Sequence, residues 1–300
     1  MTYPQNEPNL QKLDIINQLI RQDPGQRGFS SISPIGELEM TAKSLLENDR
    51  ILIVTGFCVL AAMTGETDGP PGALVLASAL KQLNKQVMLV TDQYSAFLLT
   101  AGMKYYSEKT EVVVISDNQA QADLEMNRLL DQFQPGHIIA IERPGRAADG
   151  QTYSMRGEKL NDVIPQLDLL FEKSLTRNIY TSAIGDGGNE LGMGNVYELI
   201  KKHVHLGEKI GCVTPADQLI SAGVSNWAGY GLAAALSLMT DANLLPSVET
   251  EENVLKSMVR SGAVDGCTKK REVTVDGLSW EAYIDVIHEI IKTVIAQLSP

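Results

Sequence analysis

Six short runs of aliphatic and β-branched residues, alternating with helix-length stretches, constrain this chain more than any other feature. The runs are Ile51–Val54, Gln86–Val90, Glu111–Ile115, His137–Ile141, Asn178–Ile184 and Ile210–Val213. Between them, helical patterns occupy Ala73–Leu83, Tyr94–Ala101, Gln119–Phe133, Glu158–Thr176 and Leu191–His203. Strands apolar throughout, rather than at alternate positions, are those buried on both faces of a parallel sheet. Parallel neighbours also need crossovers of a dozen or more residues, which these stretches supply. The pattern predicts an α/β fold: a mostly parallel, Rossmann-like sheet with helices on both faces. Right-handed crossovers then bring the strand-to-helix loops to one edge.

Both ends of the chain add helices. Leu10–Arg21 and Gly36–Asn48 precede the first strand, so residues 1–50 read as a helical N-terminal extension. Residues 215–300 read as a mainly helical C-terminal part, with Asn226–Met239, Glu249–Arg260 and Trp280–Leu298 as its helices. Asn226–Met239 is rich in Ala and Gly, which permits close backbone approach and predicts burial under the sheet. No repeat, low-complexity tract or linker interrupts the pattern, so 1–300 reads as a single α/β domain. Three hundred residues suffice for a large core.

Charge and cysteine usage narrow the function classes. Lys and Arg number 25 against 37 acidic residues, a net charge of −12, which argues against nucleic acid or anionic membrane as partner. The longest apolar runs, such as Val112–Ile115, are far too short to span a bilayer. Met1–Pro8 has neither a basic nor an apolar leader segment, so no secretory signal is expected. Cys58, Cys212 and Cys267 are odd in number and lack CxxC spacing, so a reduced, cytoplasmic setting is expected. Cys58 reads as a small buried apolar filler.

Four loops collect the chemically useful residues. Asp186-Gly-Gly-Asn-Glu190 stands where the strand Asn178–Ile184 ends, with paired glycines, two carboxylates and an amide. Ligands of open α/β sheets bind beyond the carboxyl ends of strands, and a helix start alone needs one capping residue. A second loop runs from Thr55 through Glu66-Thr-Asp-Gly-Pro-Pro-Gly72 and carries Glu66 and Asp68. Pro71 suits a first helical turn, so Asp68 reads either as a cap or as a site residue. In the third, Glu142-Arg-Pro-Gly-Arg-Ala-Ala-Asp-Gly150, Arg143, Arg146 and Asp149 follow a strand directly, with Arg156 shortly after. Guanidinium forks bind carboxylates bidentately. The fourth, Gly262–Arg271, offers Asp265 and Lys269, and Asp217 is a weaker candidate.

Several chemistries are excluded or set aside. There is no GxxxxGK[ST], HExxH or GxSxG. Gly229-Tyr-Gly-Leu-Ala-Ala234 fits a loose dinucleotide pattern, but no strand precedes it. His203 and His205 read as complements to a helix dipole, and His137 and His288 as structural. The pattern fixes no cofactor with certainty; Asp68, Asp186 and Glu190 are candidate oxygen ligands for Mn²⁺ or Mg²⁺.

Taken together and in order, Glu66-Thr-Asp-Gly-Pro70, Glu142 to Gly150, Met155-Arg-Gly157, Gly185-Asp-Gly-Gly-Asn-Glu190 and Val264-Asp-Gly266 resemble the D-glutamate cyclase family. The likeness is to the C-terminal domain of the mitochondrial animal enzyme and to stand-alone bacterial relatives, over roughly residues 35–298. It implies a carbon–oxygen lyase (a hydro-lyase) that converts D-glutamate to 5-oxo-D-proline and water. On that reading Arg143 and Arg146 hold the two carboxylates, with Glu66, Asp149, Arg156, Asn189, Asp265 and Lys269 also at the substrate. Asp68, Asp186 or Glu190 moves the amine proton to the departing oxygen. Glycine-loop N–H groups or a metal stabilise the oxyanion. Arg146 and Asp186 are expected to open into one shared pocket. The expected partner is a small acidic molecule, and a homo-oligomer is compatible with the sequence. Two alternatives stand beside this: another lyase or a phosphotransferase acting on an acidic metabolite, or a non-catalytic domain that binds one.

Overall fold

The structure, a computed structural model, describes residues 7–25 and 37–298. Met1–Asn6 of the leader reading and Gly36 of the second expected helix lie outside them. Six parallel strands make the sheet: β1 (Arg50–Thr55), β4 (Gln86–Thr91), β5 (Glu111–Val114), β6 (His137–Ile141), β7 (Tyr180–Gly185) and β8 (Gln218–Ser221). A two-stranded hairpin, β2 (Cys58–Val59) with β3 (Thr64–Gly65), lies apart from it. The order across the sheet is β5-β4-β1-β6-β7-β8. With the hairpin left out, this is the 3-2-1-4-5-6 arrangement of dinucleotide-binding folds. The chain builds outward from β1 to one side, returns, and builds to the other. The reversal falls between β1 and β6, where the register pairs Thr55 with Ile141.

Alternation along the strands divides the core between two faces. Ile51, Ile53, Ile139 and Ile141 point into one apolar cluster, while Leu52, Val54, Ile138 and Ala140 point into the other. The second face is covered by α5 (Gln119–Phe133), α6 (Asp168–Arg177) and α7 (Tyr197–His203). The first carries α3 (Pro70–Gln82), α4 (Gln93–Gly102) and α9 (Ser225–Thr240). Outside these pack α1 (Glu7–Ile20), α2 (Glu37–Glu47), α10 (Val248–Ser261) and α11 (Trp280–Leu298). The last element is α8 (Gly207–Ile210), a single turn. No described helix is long and apolar enough to cross a membrane.

Every residue of α9 from Ser225 to Met239 is buried, as its Ala and Gly content predicts. A Cβ on Gly229 would lie 2.6 Å from the Cα of Gly72, so the α3 and α9 backbones touch and neither position has room for a side chain. Overpacking such a contact costs about 1–3 kcal/mol. Gly229 and Gly231, which suggested a dinucleotide loop, therefore serve helix packing. Ile16, Ile20 and Leu38 close over Gly231, which makes the N-terminal helices part of the core.

Three expected elements differ. Ile210–Val213 forms no strand: Ile210 ends α8 and Cys212 makes only an isolated bridge to Ala147. The sixth strand is instead Gln218–Ser221, which accepts the edge of β7. The helix expected over Glu158–Thr176 begins at Asp168, because Pro165 cannot donate within a helix interior. The one expected at Leu191 begins at Tyr197, after Gly192 at φ 90° and a short 3-10 turn at Gly194–Val196.

Candidate active site

The ends of β1, β6 and β7 deliver Gly56, Glu142 and Asp186 side by side. Gly56 N donates to Glu142 O, and Glu142 N donates to Ile184 O, so the ladder continues one step past the strands. A cleft of about 220 Å³ opens here, at the point where strand order reverses and where open α/β sheets bind ligands. Its floor is acidic, with Glu66, Glu142, Asp186, Glu190 and Asp276. Phe57, Val59, Leu60 and Met155 form an apolar wall, and Arg156 and Lys269 supply positive charge. A larger hollow of about 570 Å³ lies at the other ends of the strands, beside Gly136, Asn178 and Tyr180, away from this cluster.

Glu142 is the residue that sequence reasoning passed over. It is 5% exposed, and its backbone is left-handed at φ 47°, which costs a residue with a Cβ roughly 1–3 kcal/mol. Its side chain meets Ser225, whose hydroxyl donates to Oε2 at 2.6 Å. Gly69, at φ 91°, makes room for it: a Cβ there would meet the Glu142 Cβ at 2.6 Å. Burial lifts the Glu142 carboxyl well above the usual range, and repulsion from Asp186, Glu190, Asp68 and Glu66 adds to the effect. Its position was legible, since it is the first residue after the strand His137–Ile141.

Asp68 is buried but does not line the cleft. Its Oδ2 accepts from Ser225 N at 2.9 Å and its Oδ1 from Asn226 N at 2.8 Å, so it caps α9 rather than the helix that follows it. Burial and the Asp276 charge raise its carboxyl to about 8, against the pull of the backbone N–H groups of Asn226, Ser225 and Gly69. Asp68, Glu142 and Asp186 each bring an oxygen within 4.8 Å of the others, the arrangement that a divalent cation with oxygen ligands would need.

Glu190 takes a different role from the one expected. Its Oε1 accepts from Gly187 N at 2.7 Å and Asp186 N at 3.3 Å, and its Oε2 from Gly188 N at 2.6 Å. The side chain thus occupies the glycine-loop amides that were expected to hold an oxyanion, and Glu142 replaces it in the three-carboxylate cluster. Asn189 is buried, donating to Tyr153 O at 2.7 Å, which ties this loop to the one bearing Met155 and Arg156. Cys58 lines the cleft, but burial, with Asp92 next in effect, pushes its thiol up to about 12.

The arginines separate sharply. Arg143 is fully buried and faces away from the cleft, donating to Gly56 O, Pro165 O and the Asp92 carboxylate. Asp92 in turn caps α4 through Tyr94 N. Arg146 pairs with Glu172 on α6 and its N–H donates to Asp168, so it shares no pocket with Asp186. Of the three expected guanidinium groups only Arg156 lines the cleft, its Nη2 donating to Cys267 O at 3.0 Å. Asp149 binds the Tyr153 hydroxyl at 2.5 Å outside the cleft. Asp265 is buried, accepting from Cys267, Thr268 and Gly277 N–H groups, and so shapes the loop that presents Lys269. Asp217 accepts from Thr181 at the far end of β7.

Known proteins bear on what this cleft is. The chain is 32% identical to human mitochondrial D-glutamate cyclase across 96% of its own length, and spans about half, 53%, of that relative. Among solved structures, an exopolyphosphatase-related protein from Bacteroides fragilis aligns with a TM-score of 0.42 at 10% identity, over 90% of this chain and 58% of that one. Levodione reductase aligns at 0.30 and 15% identity, over 51% and 64%. Structural likeness at that level says nothing about ligands. A family model described as D-glutamate cyclase-like, C-terminal, matches residues 16–291, and the chain belongs to that family.

Proposed function

We propose that this protein is a hydro-lyase that closes D-glutamate into 5-oxo-D-proline with release of water. The observation that carries the reading is the pairing, in one cleft of a family member, of Glu142 and Asp186 with the cations Arg156 and Lys269. Ring closure takes two protons from the α-ammonium and puts two on the departing γ-oxygen. Two carboxyl groups within reach of both centres are therefore the minimum equipment. Asp186 takes protons from the nitrogen. Glu142, whose burial favours the protonated form, donates to the γ-carboxyl oxygen. Arg156 and Lys269 hold the α-carboxylate and so turn the amine towards the floor. Fixing one folded rotamer supplies much of the acceleration, since intramolecular proximity is worth up to roughly 10 kcal/mol.

Mn²⁺ or Mg²⁺ fits the donor set of Asp68, Glu142 and Asp186, and when bound would polarise the γ-carboxyl group. Incubation with D-glutamate, with and without each ion, followed by NMR for 5-oxoproline, tests both parts. Oxoproline formed only from D-glutamate supports the reading. Tight binding without product would make the protein a metabolite-binding domain.

A further inference from the structure

The cleft contains more apolar surface than free glutamate uses. Glutamate offers only two methylene groups between three charged ends, and all three charges seek the acidic floor or the two cations. Phe57, Val59 and Leu60, on and beside the β2–β3 hairpin, nevertheless line one wall, and Met155, 36% exposed, lies on the same cleft from a different loop. Pockets lined in this way favour ligands with an apolar body oriented by a few polar groups.

Electrostatics adds a second, separate constraint. For the ring to close, the α-nitrogen and the γ-carbon must sit within bonding distance, so the γ-group has to go wherever the amine goes. An ammonium is welcome among Glu66, Glu142, Asp186, Glu190 and Asp276. A γ-carboxylate beside it meets like charge from the floor carboxylates other than the protonated Glu142, while Arg156 and Lys269 are, among the described residues, the only cations lining the cleft. A neutral γ-group escapes that repulsion.

We infer that the same site cyclises γ-amides of D-glutamate, releasing an amine in place of water, with the amine's apolar substituent against Phe57, Val59, Leu60 and Met155. This rests on the cyclase reading and extends it to another substrate class. The α-nitrogen forms a bond to the γ-carbon, and the γ-carbon's bond to the amide nitrogen breaks. The α-ammonium gives up two protons, and an aliphatic leaving amine takes both and departs as its ammonium. A weakly basic aniline takes one, and the second passes to water. No oxidant, reductant or co-reactant is needed.

The test compares D-glutamate, γ-D-glutamyl methylamide and γ-D-glutamyl-p-nitroanilide as substrates of the full chain, with NMR for oxoproline and absorbance for released nitroaniline. The expected result is a kcat/KM for the anilide at least tenfold above that for D-glutamate, and a KM lower for the anilide than for the methylamide. Oxoproline from D-glutamate with no turnover of either amide overturns this inference and leaves the cyclase reading standing. Equal KM values for the two amides overturn the assignment of the apolar wall. If none of the three compounds yields oxoproline, the cyclase reading itself falls and this inference with it.

Discussion

Asp68 and Asn226 cap each other's helices. The Asp68 carboxylate receives the N–H of Asn226 at 2.8 Å at the start of α9, while the Asn226 amide oxygen receives Gly69 N and Gly72 N, at 2.9 and 2.8 Å, at the start of α3. Asn226 Nδ2 also donates to Thr67 O at 3.0 Å. Two buried helix starts, which would otherwise leave donors stranded, are satisfied reciprocally next to the cleft. The acid floor and the glycine contact between α3 and α9 are thereby held in one register.

Replacing Asn226 with Ala strands the N–H groups of Gly69 and Gly72 in the core. At about 1–3 kcal/mol for each unsatisfied donor, the loss should be roughly 2–6 kcal/mol. Urea denaturation should show a lower midpoint with an unchanged slope. A change within about 0.5 kcal/mol would mean that the caps are dispensable.

The pH dependence of stability has a definite sign. The Asp68 carboxyl sits at about 8 in the folded state, raised by burial and by Asp276, against an ordinary 3.8. Between those values the folded chain binds the proton more tightly than the unfolded one. The contribution is complete below about 4 and is lost as pH climbs to about 8. Glu142, raised in the same direction, acts likewise. His137 works oppositely: burial lowers it to about 3, so its contribution is present above 6.5 and lost as pH falls towards 3. Melting temperatures of the wild type should therefore fall as pH rises from about 6.5, where the opposing His137 contribution is complete, to about 8. The fall should be shallower in Asp68→Asn, and a slope identical in both would contradict the assignment.

Arg143 and Arg156 should fail in different ways. Arg143→Ala leaves Asp92 buried without its partner, a loss of about 3–5 kcal/mol seen in denaturation. Arg156→Ala touches an exposed side chain and should leave stability within about 0.5 kcal/mol. Its effect belongs in KM, which should rise roughly 10- to 100-fold with a smaller change in kcat, as loss of a charged hydrogen bond implies. Normal KM in Arg156→Ala would remove it from substrate binding.

Glu190→Gln exchanges one accepting oxygen for an N–H₂ group facing the glycine-loop amides. Gly187 N or Gly188 N then loses its acceptor, at about 1–3 kcal/mol. Because Asp186 rides on the same loop, kcat should fall together with thermal stability. Lost activity at wild-type stability would instead make Glu190 a direct participant.

The sheet was largely readable because fully buried parallel strands leave continuous apolar runs, and five of the six strands lie where such runs predicted. The sixth was hidden because Gln218–Ser221 is short and mixed, while the apolar Ile210–Val213 starts at the end of α8 and makes only an isolated bridge at Cys212. The candidate site was readable as a set of loops but not residue by residue. Sequence spacing cannot distinguish an arginine that points into a cleft from one that points beneath it. Arg143 and Arg146, adjacent in the loop to everything expected of a carboxylate clamp, are consumed by Asp92 and Glu172. Glu142 and the reciprocal caps depend on contacts between segments more than 80 residues apart, which no local pattern records.

The central claim is that Glu142 and Asp186 move protons for ring closure in the cleft between β1, β6 and β7. It is tested most directly by following D-glutamate by proton NMR with wild type, Asp186→Asn and Glu142→Gln, each checked for a wild-type melting transition. The expected result is oxoproline from the wild type and a loss of about 10²- to 10⁴-fold in each variant. Turnover by a folded Asp186→Asn variant at the wild-type rate would contradict the account.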